Sequence, residues 1–367
     1  MSVKVWVKGF RNLSETVFTL DLNRPAYIFG DNNQGKSNFL EALYFLGNAQ
    51  SSQGLPVADL IHFDRDEALL GLDLVSQSDL KSDRVYFKLN RPNQKKGRLN
   101  DQALKNVQAV HDRVGISYMS ADIIRLFQDS PDGRRRDLDG FCRSRGNESL
   151  YRGYDRCLKQ RNEALKVPGS DLSVWETSLI QLASAIIKDR IQALQLIQEE
   201  VNSLLAQLEI GPTLSTEFQY KCQHFVGTDL NAYSEWLQTQ LTRREPHDRH
   251  LGYTSVGPHR DDFDILVSKQ SLFRYLSRGM NRLVAILYQV AKLRSSRVDR
   301  PLILALDDGL IELDEKKKQA LVSLMQRLLT LVYVSTSTKD QCYFSNPNLY
   351  QMTSGQLQAV NESLGPQ

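Results

Sequence analysis

One short motif limits what this chain can fold into more than any other feature. Residues 30–37 read GDNNQGKS and fit the pattern G-x-x-x-x-G-K-[ST]. An apolar, strand-like segment at 26–29 precedes the motif, and an amphipathic segment at 38–46 follows it. In this strand–loop–helix setting, backbone N–H groups surround phosphate oxygens and the helix N-terminus adds positive charge. The motif therefore predicts an α/β fold with a phosphate-binding loop.

This loop offers both backbone and side-chain groups to a nucleotide. Lys36 is expected to place its ammonium at the β- and γ-phosphates and to be catalytic, and the Ser37 hydroxyl is expected to ligate Mg²⁺. A glycine-containing turn that matches by chance is the alternative, but the flanking strand and helix favour the nucleotide site. The residues expected to bind the cofactor here are Gly30, Asp31, Asn32, Asn33, Gln34, Gly35, Lys36 and Ser37.

A second candidate site lies about 270 residues further along the chain. Residues 301–306, PLILAL, are typical of a buried strand and lead into Asp307 and Asp308. One carboxylate at a strand end can hold Mg²⁺ through water, while the next orients or deprotonates the attacking water. Acidic residues often begin loops, so the pair is informative because a phosphate-binding loop needs a partner acid. We expect Asp307 to support the metal and Asp308 to be catalytic.

The distance between these two sites indicates that a segment is inserted into the nucleotide-binding unit. A chain of 367 residues is long enough for two or three domains. Strand-like patterns return after Pro246, and helical spacing dominates before it, including a long helix that Gly211–Pro212 would end. We expect a discontinuous head at 1–129 and 247–367 and a mostly helical arm at 130–246.

Residues 276–279, LSRG, precede a segment with helical spacing of apolar residues. Ser277 is a good N-cap, and capping alone would explain it. Ser-x-Gly at a helix N-terminus is also how ATP-binding-cassette (ABC) ATPases present a second anion site, which contacts the γ-phosphate of ATP held by a partner subunit. The loop at 30–37 and the Asp307–Asp308 pair favour this second interpretation.

Composition argues against several other classes of protein. No apolar stretch approaches 18 residues, and Lys4 and Lys8 interrupt the N-terminal apolar run, so neither a membrane helix nor a signal peptide is expected. No G-x-S-x-G or H-E-x-x-H pattern occurs, and His259 is expected to be satisfied by neighbouring carboxylates rather than catalytic. The cysteines lack C-x-x-C spacing, which predicts a cytoplasmic location without disulfides or zinc. They are Cys142, Cys157, Cys222 and Cys342.

The net charge of +3 neither requires nor excludes a polyanionic partner, so the distribution of charge matters more. Residues 81–105 contain eight Lys or Arg against two Asp, and residues 131–170 contain ten basic against six acidic residues. Such clusters can contact DNA phosphates, or they can be solvated and paired with nearby aspartates. The candidate DNA-binding residues are Lys95, Lys96, Arg98, Arg134, Arg135 and Arg136.

Several longer segments resemble the RecF family of recombination and replication-repair proteins, which are relatives of the SMC and Rad50 heads. The resemblance extends over nearly the whole chain, and several segments are specific to the family rather than to ATPases in general. The inserted segment is far too short for an SMC or Rad50 coiled coil, which favours a compact arm. The matching segments are Phe10-Arg11-Asn12, GDNNQGKSNFLEALYFL, SPDGRRRDLD, YDRCLKQRNEALK, SVGPHRDDFDI, SRGMNR and DDGLIELD.

The resemblance implies an α/β fold, an ABC-type P-loop ATPase head with a mixed sheet and flanking helices, into which a helical arm is inserted. It implies ATP and Mg²⁺ as cofactors, with two ATP molecules held between two heads of a homodimer. By position, Arg11 corresponds to the arginine near the nucleotide, and Asp314 lies in the loop that crosses the dimer. The signature that faces the partner's ATP would be Ser277, Gly279 and Arg282.

The resemblance also implies a function in DNA repair and replication. RecF proteins bind single-stranded and gapped DNA at single-strand/double-strand junctions and close on it as an ATP-dependent dimer. With RecO and RecR they help to load the RecA recombinase and support the SOS response. The implied activity is a slow, DNA-dependent ATPase that serves as a switch.

The sequence departs from the family pattern at several positions. Met280 stands where Gln is usual in the signature, and Gly309 and Ile311 stand where a bulky apolar residue and Ser are usual. Residues 48–52 lack the family's basic side chains, and Asn33 replaces Gly or Ala. These departures leave open a degenerate ATP-binding interaction module with little or no hydrolysis. A nuclease-partner ATPase of the overcoming-lysogenisation type is a further alternative, but no acidic nuclease domain follows the head.

Overall fold

The chain folds into two compact units, which we name the head unit and the arm unit. The head unit comprises Met1–Ile123, Gln207–Pro212 and Arg278–Gln367, and the arm unit comprises Ile124–Ala206 and Thr213–Ser277. Three residues named above, Gly211, Pro212 and Cys342, lie outside the described residues, as does Lys81, the first residue of the basic cluster at 81–105. The computed structural model describes residues 2–21, 23–75, 82–120, 122–210, 214–222, 225, 229–295, 300–335 and 343–360.

The strands follow segments of alternating or continuous apolar residues. Residues 93–101 contain a strand, and a hairpin after residue 347 had no sequence signal. The strands are β1 (Ser2–Lys8), β2 (Thr16–Asp21), β3 (Ala26–Phe29), β4 (Glu67–Val75), β5 (Ser82–Asn90), β6 (Gln94–Leu99), β7 (Gln102–Ala103), β8 (Gly115–Met119), β9 (Glu217–Lys221), β10 (Asp262–Val267), β11 (Gln270–Ser271), β12 (Leu302–Asp307), β13 (Thr330–Ser335), β14 (Asn348–Thr353) and β15 (Gln356–Ala359).

The helices include four short ones of a single turn and a long one that dominates the arm unit. No helix among the described residues is both long enough and apolar enough to cross a membrane. The helices are α1 (Lys36–Asn48), α2 (Val57–Leu60), α3 (Gln108–His111), α4 (Arg125–Gln128), α5 (Pro131–Cys142), α6 (Glu148–Leu165), α7 (Ser173–Leu208), α8 (Leu230–Leu251), α9 (Leu272–Tyr275), α10 (Arg278–Arg294) and α11 (Glu315–Leu328).

Two sheets form the head unit. One is antiparallel, in the order β2-β1-β4-β5-β6-β7, and the other has the order β15-β14-β3-β13-β12-β8. In the second sheet β14, β3, β13, β12 and β8 run parallel, and β15 pairs antiparallel with β14. Residues 303–306 of β12 are fully buried, as expected for a parallel strand covered on both faces.

The core of the head unit is built around α1. This helix contacts β4 and β5 of the antiparallel sheet and β8, β12 and β13 of the mixed sheet. Its apolar side chains Phe39, Leu43 and Leu46 are fully buried, and they join both sheets in one hydrophobic cluster. Because α1 begins at Lys36, this packing fixes the phosphate-binding loop at the carboxyl end of β3.

The arm unit is mostly helical, but it also contains a small antiparallel sheet in the order β11-β10-β9. Ion pairs join its helices: the guanidinium of Arg161, which is 0% exposed, lies 3.1 Å from Asp248 and 3.0 Å from Glu176. Arg190 is likewise buried and pairs with Asp139 at 2.8 Å. These pairs hold together elements that are distant in sequence.

The arm unit ends at Ser277 rather than at residue 246, the boundary that the sequence predicts. Pro246 lies inside α8, which continues to Leu251. Beyond the proline, the buried Asp248 pairs with Arg161, so tertiary contacts outweigh the hydrogen bond that proline removes. The pairing of β9 with β10 then keeps residues 262–267 within this unit.

Candidate functional site

The phosphate loop (residues 30–37) joins β3 to α1 through backbone conformations that restrict its sequence. Gly30 has a φ of 151° and Gly35 a φ of 106°, values that favour glycine. A Cβ on Gly30 would lie 2.4 Å from the carbonyl oxygen of Met352, so a larger residue does not fit. Asn33 has a φ of 64°, a left-handed conformation that asparagine tolerates. The departure at Asn33 is therefore compatible with this loop.

Lys36 lies with its ammonium inside the phosphate loop. Its Nζ donates to the carbonyl oxygens of Gly30 at 2.8 Å and Asp31 at 2.7 Å, and the residue is 7% exposed. Burial lowers the pKa of Lys36, and the negative charges of Asp308, Asp307 and Asp31 oppose this shift. The loop and the aspartate pair predicted from distant parts of the sequence are thus close enough to interact.

Asp307 is the last residue of β12, and Asp308 follows it with a φ of 49°. Since β12 and β3 are parallel strands of one sheet, the aspartates and the phosphate loop lie at the same carboxyl edge. The hydroxyl of Tyr118, on β8, donates to Oδ2 of Asp307 at 3.1 Å. Burial and the Asp307 charge raise the pKa of Tyr118, so the phenol stays protonated. No sequence signal indicated Tyr118, because 189 residues separate it from Asp307.

Arg11, expected near the nucleotide, is held by a glutamate of α1. Its Nε and Nη2 lie 3.2 and 3.0 Å from Oε2 of Glu41, and the Ser51 hydroxyl donates to Oε1 at 2.7 Å. Glu41 is buried, and a buried carboxylate needs such partners. Sequence reasoning missed Glu41 and Ser51, although an acidic residue on the apolar face of α1 was a signal that could have found them.

The turn between β14 and β15 also supports the phosphate loop. The N–H of Gly355 donates to the carbonyl oxygen of Gln34 at 2.9 Å, and the side chain of Gln34 accepts from the N–H of Ser354. A Cβ on Gly355 would lie 2.3 Å from the carbonyl oxygen of Asn12, so glycine permits this close approach. Nothing in the local sequence at 354–355 indicates a contact with a loop some 320 residues away.

The expected signature residues differ in exposure. Ser277, directly before α10, is exposed, and Gly279 lies in the first turn of that helix. Arg282 is 2% exposed, donates through Nε to the carbonyl oxygen of Gly309 at 3.0 Å, and lies 3.6 Å from the carboxylate of Glu312. Its side chain therefore contacts the segment after Asp308 instead of the surface on which a partner's nucleotide was expected.

The segment after Asp308 is held by two buried leucines. Leu310 and Leu313 are buried, whereas Ile311 between them is 50% exposed. Asp314, expected in the loop that crosses a dimer, caps α11 by accepting from the N–H of Lys317 at 2.9 Å. The departure at Ile311 thus places an exposed apolar side chain near Asp308.

Strand alternation places Lys95 apart from the other two candidate DNA-binding residues of the first basic cluster. In the antiparallel sheet Lys95 is paired with the buried Leu89, on the face that points toward the core. Its ammonium donates to the carbonyl oxygen of Ala49, and loss of hydration lowers the pKa of Lys95. Lys95 is therefore not on the same surface as Lys96.

Lys96 and Arg98 lie on the opposite, outward face of the sheet, paired across strands with Lys88 and Tyr86. Both are exposed, and neither forms an ion pair with any residue that the structure describes. Tyr86 stacks on Trp6 of β1 with ring centroids 5.5 Å apart. We name Lys96, Arg98, Tyr86 and Trp6 the outward sheet face.

The second basic cluster is largely paired internally. Arg134 lies 2.8 and 2.9 Å from the two carboxylate oxygens of Asp262, and it also donates to two backbone carbonyls. Arg135 pairs with Asp132 and donates to a carbonyl oxygen. Arg136 is exposed and donates to the carbonyl oxygen of Asp132 at 3.3 Å. The geometry therefore favours internal pairing for Arg134 and Arg135. The partner of Arg134 is Asp262, which is distant in sequence, and not one of the neighbouring aspartates.

A cavity of about 350 Å³ in the arm unit is lined in part by His259 and Tyr154. His259 Nε2 donates to the carbonyl oxygen of Thr254 at 2.9 Å, so Nδ1 accepts from the Tyr154 hydroxyl at 2.7 Å. Burial lowers the pKa of His259 to about 4. A tyrosine and a carbonyl therefore satisfy this histidine, instead of the neighbouring carboxylates expected from the sequence.

In the head unit, two sheets pack on either side of one helix, and a phosphate loop opens that helix opposite a strand-end aspartate pair. This arrangement defines an ABC-type P-loop ATPase head, here with an inserted, mostly helical arm. The chain belongs to the RecF/RecN/SMC N-terminal domain family, whose family model matches residues 2–359. Within that family the chain is assigned to RecF, because the curated relatives and the solved structure described next carry that name.

Curated relatives match almost their full length. The chain is 29% identical over 361 residues to the DNA replication and repair protein RecF of Halothermothrix orenii, covering 94% of this chain and 95% of the relative. It is 25% identical over 370 residues to RecF of Ruminiclostridium cellulolyticum, covering 96% and 97%. These two alignments span the head and the arm alike.

Solved structures show the same relationship. The chain is similar to "the recombination mediator protein RecF-ATPrS in RecFOR pathway", with 25% identity, a TM-score of 0.82 and coverage of 97% of each chain. It also shares its fold with an SMC head bound to the C-terminal winged-helix domain of ScpA, at 13% identity and a TM-score of 0.54. By TM-score, the chain is thus more similar to this RecF structure than to this SMC head.

Proposed function

We propose that this protein is an ATP-binding DNA repair and replication protein that acts in the way of RecF. The observation that carries the proposal is the position of Lys36, whose ammonium lies inside the phosphate loop near Asp307 and Asp308. The RecF structure described with ATPrS supports ATP as the nucleotide. The names of the curated relatives support a role in DNA replication and repair.

The residues present fit Mg-ATP. The Ser37 hydroxyl and the Asp307 carboxylate are hard oxygen donors, and Mg²⁺ binds through one or two such groups together with phosphate oxygens. No group of three or more His, Cys, Asp or Glu among the described residues could hold a metal by itself. Ser37 and Asp307 would therefore hold a metal that arrives with the nucleotide, and the metal would neutralise charge on the β- and γ-phosphates.

Two residues would act directly in the hydrolytic step, and a third would position one of them. Lys36 would bind the phosphates through its charge, and Asp308 would orient the attacking water and accept its proton. Asp308 lies beside the segment that Arg282 holds through Gly309, so Arg282 would support the position of this catalytic group. We propose slow, DNA-dependent turnover that serves as a switch.

We further propose that two heads bind each other through ATP. Ser277 is exposed at the start of α10, where helix N–H groups and the helix dipole favour a phosphate of the partner's nucleotide. Gly279 follows in the first turn, and a Cβ there would lie 3.0 Å from the carbonyl oxygen of Glu312. A closed homodimer would thus contain two ATP molecules, each contacted by both subunits.

DNA would bind to exposed cations of the two basic clusters. Lys96 and Arg98 have exposed charges and lie on one face beside the stacked Tyr86 and Trp6. Such a surface suits phosphate contacts without reading of bases. We propose gapped DNA with single-strand/double-strand junctions as the substrate, with Arg136 as the cation of the second cluster most available for contact.

The partners proposed for this pathway are RecR and RecO mediators. The RecFOR pathway named for the similar RecF structure supports that assignment. The proposed outcome is loading of RecA in the cytoplasm, which supports recombinational repair and the SOS response.

A degenerate ATP-binding interaction module is the second candidate. The exposed Ile311 and the buried Arg282 favour it, because both change the surface that a partner head would meet. Met280 favours it too, because a thioether is a weak hydrogen-bond partner.

The test is binding of the protein to gapped, duplex and single-stranded DNA with and without Mg-ATP, with sedimentation sizing in parallel. The proposal expects dimers and preferential gapped-DNA binding with saturating Mg-ATP, and Asp308→Asn should accumulate the dimer. Monomers under these conditions would exclude the two-head clamp. Dimers that form without hydrolysis in the wild type would favour the degenerate module.

A further inference from the structure

We propose that Tyr118 is a positioning residue for Asp307, an inference that rests on the proposed function. Tyr118 lies on β8, at the edge of the mixed sheet, and its hydroxyl donates to Oδ2 of Asp307 at 3.1 Å. The tyrosine belongs to neither nucleotide motif. It acts on the metal-supporting carboxylate and not on the nucleotide.

The strand register explains why a tyrosine makes this contact. In the parallel pair of β8 and β12, Tyr118 lies opposite Ala305, so Tyr118, Ala305 and Asp307 point to the same face. Asp307 lies two residues further along β12, about 6.6 Å of strand. A tyrosine side chain spans that distance, whereas a shorter hydroxyl side chain at this position would not.

The ring of Tyr118 is fixed by its surroundings. Tyr44 of α1 meets it edge-on with ring centroids 6.4 Å apart, and Tyr118 also packs against the hydrophobic cluster of the head. The hydroxyl therefore holds Oδ2 of Asp307 in one orientation. The other oxygen, Oδ1, accepts no hydrogen bond from the residues that the structure describes, so it remains available to a metal or to the water of a metal.

Hydrogen bonds to a metal-supporting carboxylate fix its orientation, and their removal weakens metal binding by about 10- to 100-fold in other proteins. Because Asp307 would act through water, we expect a value at the lower end of that range. Tyr118→Phe keeps the ring and its packing and removes only the donor. It should weaken metal binding about tenfold and leave nucleotide binding without metal unchanged.

The experiment measures free Mn²⁺ by electron paramagnetic resonance during titration of the full chain saturated with a non-hydrolysable ATP analogue. The matched control is Tyr350→Phe, which removes a hydroxyl that donates to the carbonyl oxygen of Thr19 at 3.2 Å, on β14 of the same sheet. This control should leave the Mn²⁺ affinity unchanged. In an Asp307→Asn background, Tyr118→Phe should have no further effect, because the tyrosine acts through that carboxylate.

An unchanged Mn²⁺ affinity in Tyr118→Phe would overturn the inference alone, as would equal losses in Tyr118→Phe and Tyr350→Phe. A further loss in the Asp307→Asn background would show that Tyr118 acts by another route and would also overturn it. A wild-type chain that binds no nucleotide would overturn the proposed function, and the inference with it.

Discussion

Charged side chains in the head unit and in the arm unit are used in different ways. In the head, Lys36 donates to carbonyl oxygens of its own loop, and Lys96 and Arg98 form no ion pair with described residues. In the arm, Arg161 and Arg190 are buried in ion pairs with distant carboxylates. These head cations donate within the phosphate loop or remain exposed, while these two buried arm cations join helices. The number of basic residues in a segment therefore does not reveal whether they are exposed or paired internally.

The largest expected effect belongs to the arm. Arg161→Met leaves Asp248 buried without its ion-pair partner, so the free energy of unfolding should fall by about 3–5 kcal/mol. Urea unfolding followed by circular dichroism measures this change. The control is Arg152→Met at an exposed pair with Glu148, which should cost less than about 1 kcal/mol. Equal losses in both variants would contradict the distinction between buried and exposed pairs.

In the head, the corresponding substitution should reduce ligand affinity and leave stability nearly unchanged. Lys36→Met removes the point charge inside the phosphate loop, so ATP affinity should fall at least about 100-fold, or about 2.8 kcal/mol, with little change in unfolding. Calorimetric titration with ATP measures the affinity, and Lys105→Met, at an exposed lysine, is the control. Retained ATP binding in Lys36→Met would remove this loop from the nucleotide site.

A pH effect of intermediate size should come from His259 of the arm. The pKa of His259 is lowered by burial from 6.5 to about 4, so the unfolded chain binds more protons between these values. Stability should therefore fall as the pH drops from about 6.5 towards 4, with a contribution of about 2 kcal/mol lost at pH 5.

The variant His259→Gln tests this pH effect. A glutamine amide still offers a donor to Thr254 and an acceptor to Tyr154, but it does not titrate. Urea unfolding at pH 8 and at pH 5 should show a smaller difference in the variant than in the wild type. The same difference in both proteins would assign the pH dependence to other groups.

The smallest expected effect concerns DNA. Replacing both Lys96 and Arg98 with alanine should weaken binding to gapped DNA about tenfold and reduce the salt slope by about 2, one for each lost phosphate contact. Arg134→Ala removes an equally basic residue that is paired with Asp262, so its salt slope should match the wild type. Fluorescence anisotropy across a salt series measures both. A reduced slope in Arg134→Ala would show that an internally paired arginine also contacts DNA.

The nucleotide motifs were predictable because each is local. Residues 30–37 carry the loop and its helix start within eight positions, and Asp307 and Asp308 follow an apolar strand. The roles of the basic residues were not predictable. Lys95 and Lys96 are neighbours, yet strand alternation places them on opposite faces, a fact that depends on where β6 begins.

The features that could not be predicted from the sequence depend on contacts between residues that are distant along the chain. Arg134 is paired with an aspartate 128 residues away, and Pro246 stays inside a helix because residues after it are held by another element. Tyr118 and Glu41 contact predicted site residues only after strands and helices have assembled. Neither local propensity nor composition contains that information.

The place of β3 in the mixed sheet has a consequence for synthesis on the ribosome. Its neighbours are β13 and β14, and the turn after β14 completes the support of the phosphate loop. The nascent chain therefore contains the entire loop motif long before the strands that flank it have been translated. The complete support of this loop can therefore form only after β14 and the turn that follows it have been synthesised, which is later than all residues of the arm unit.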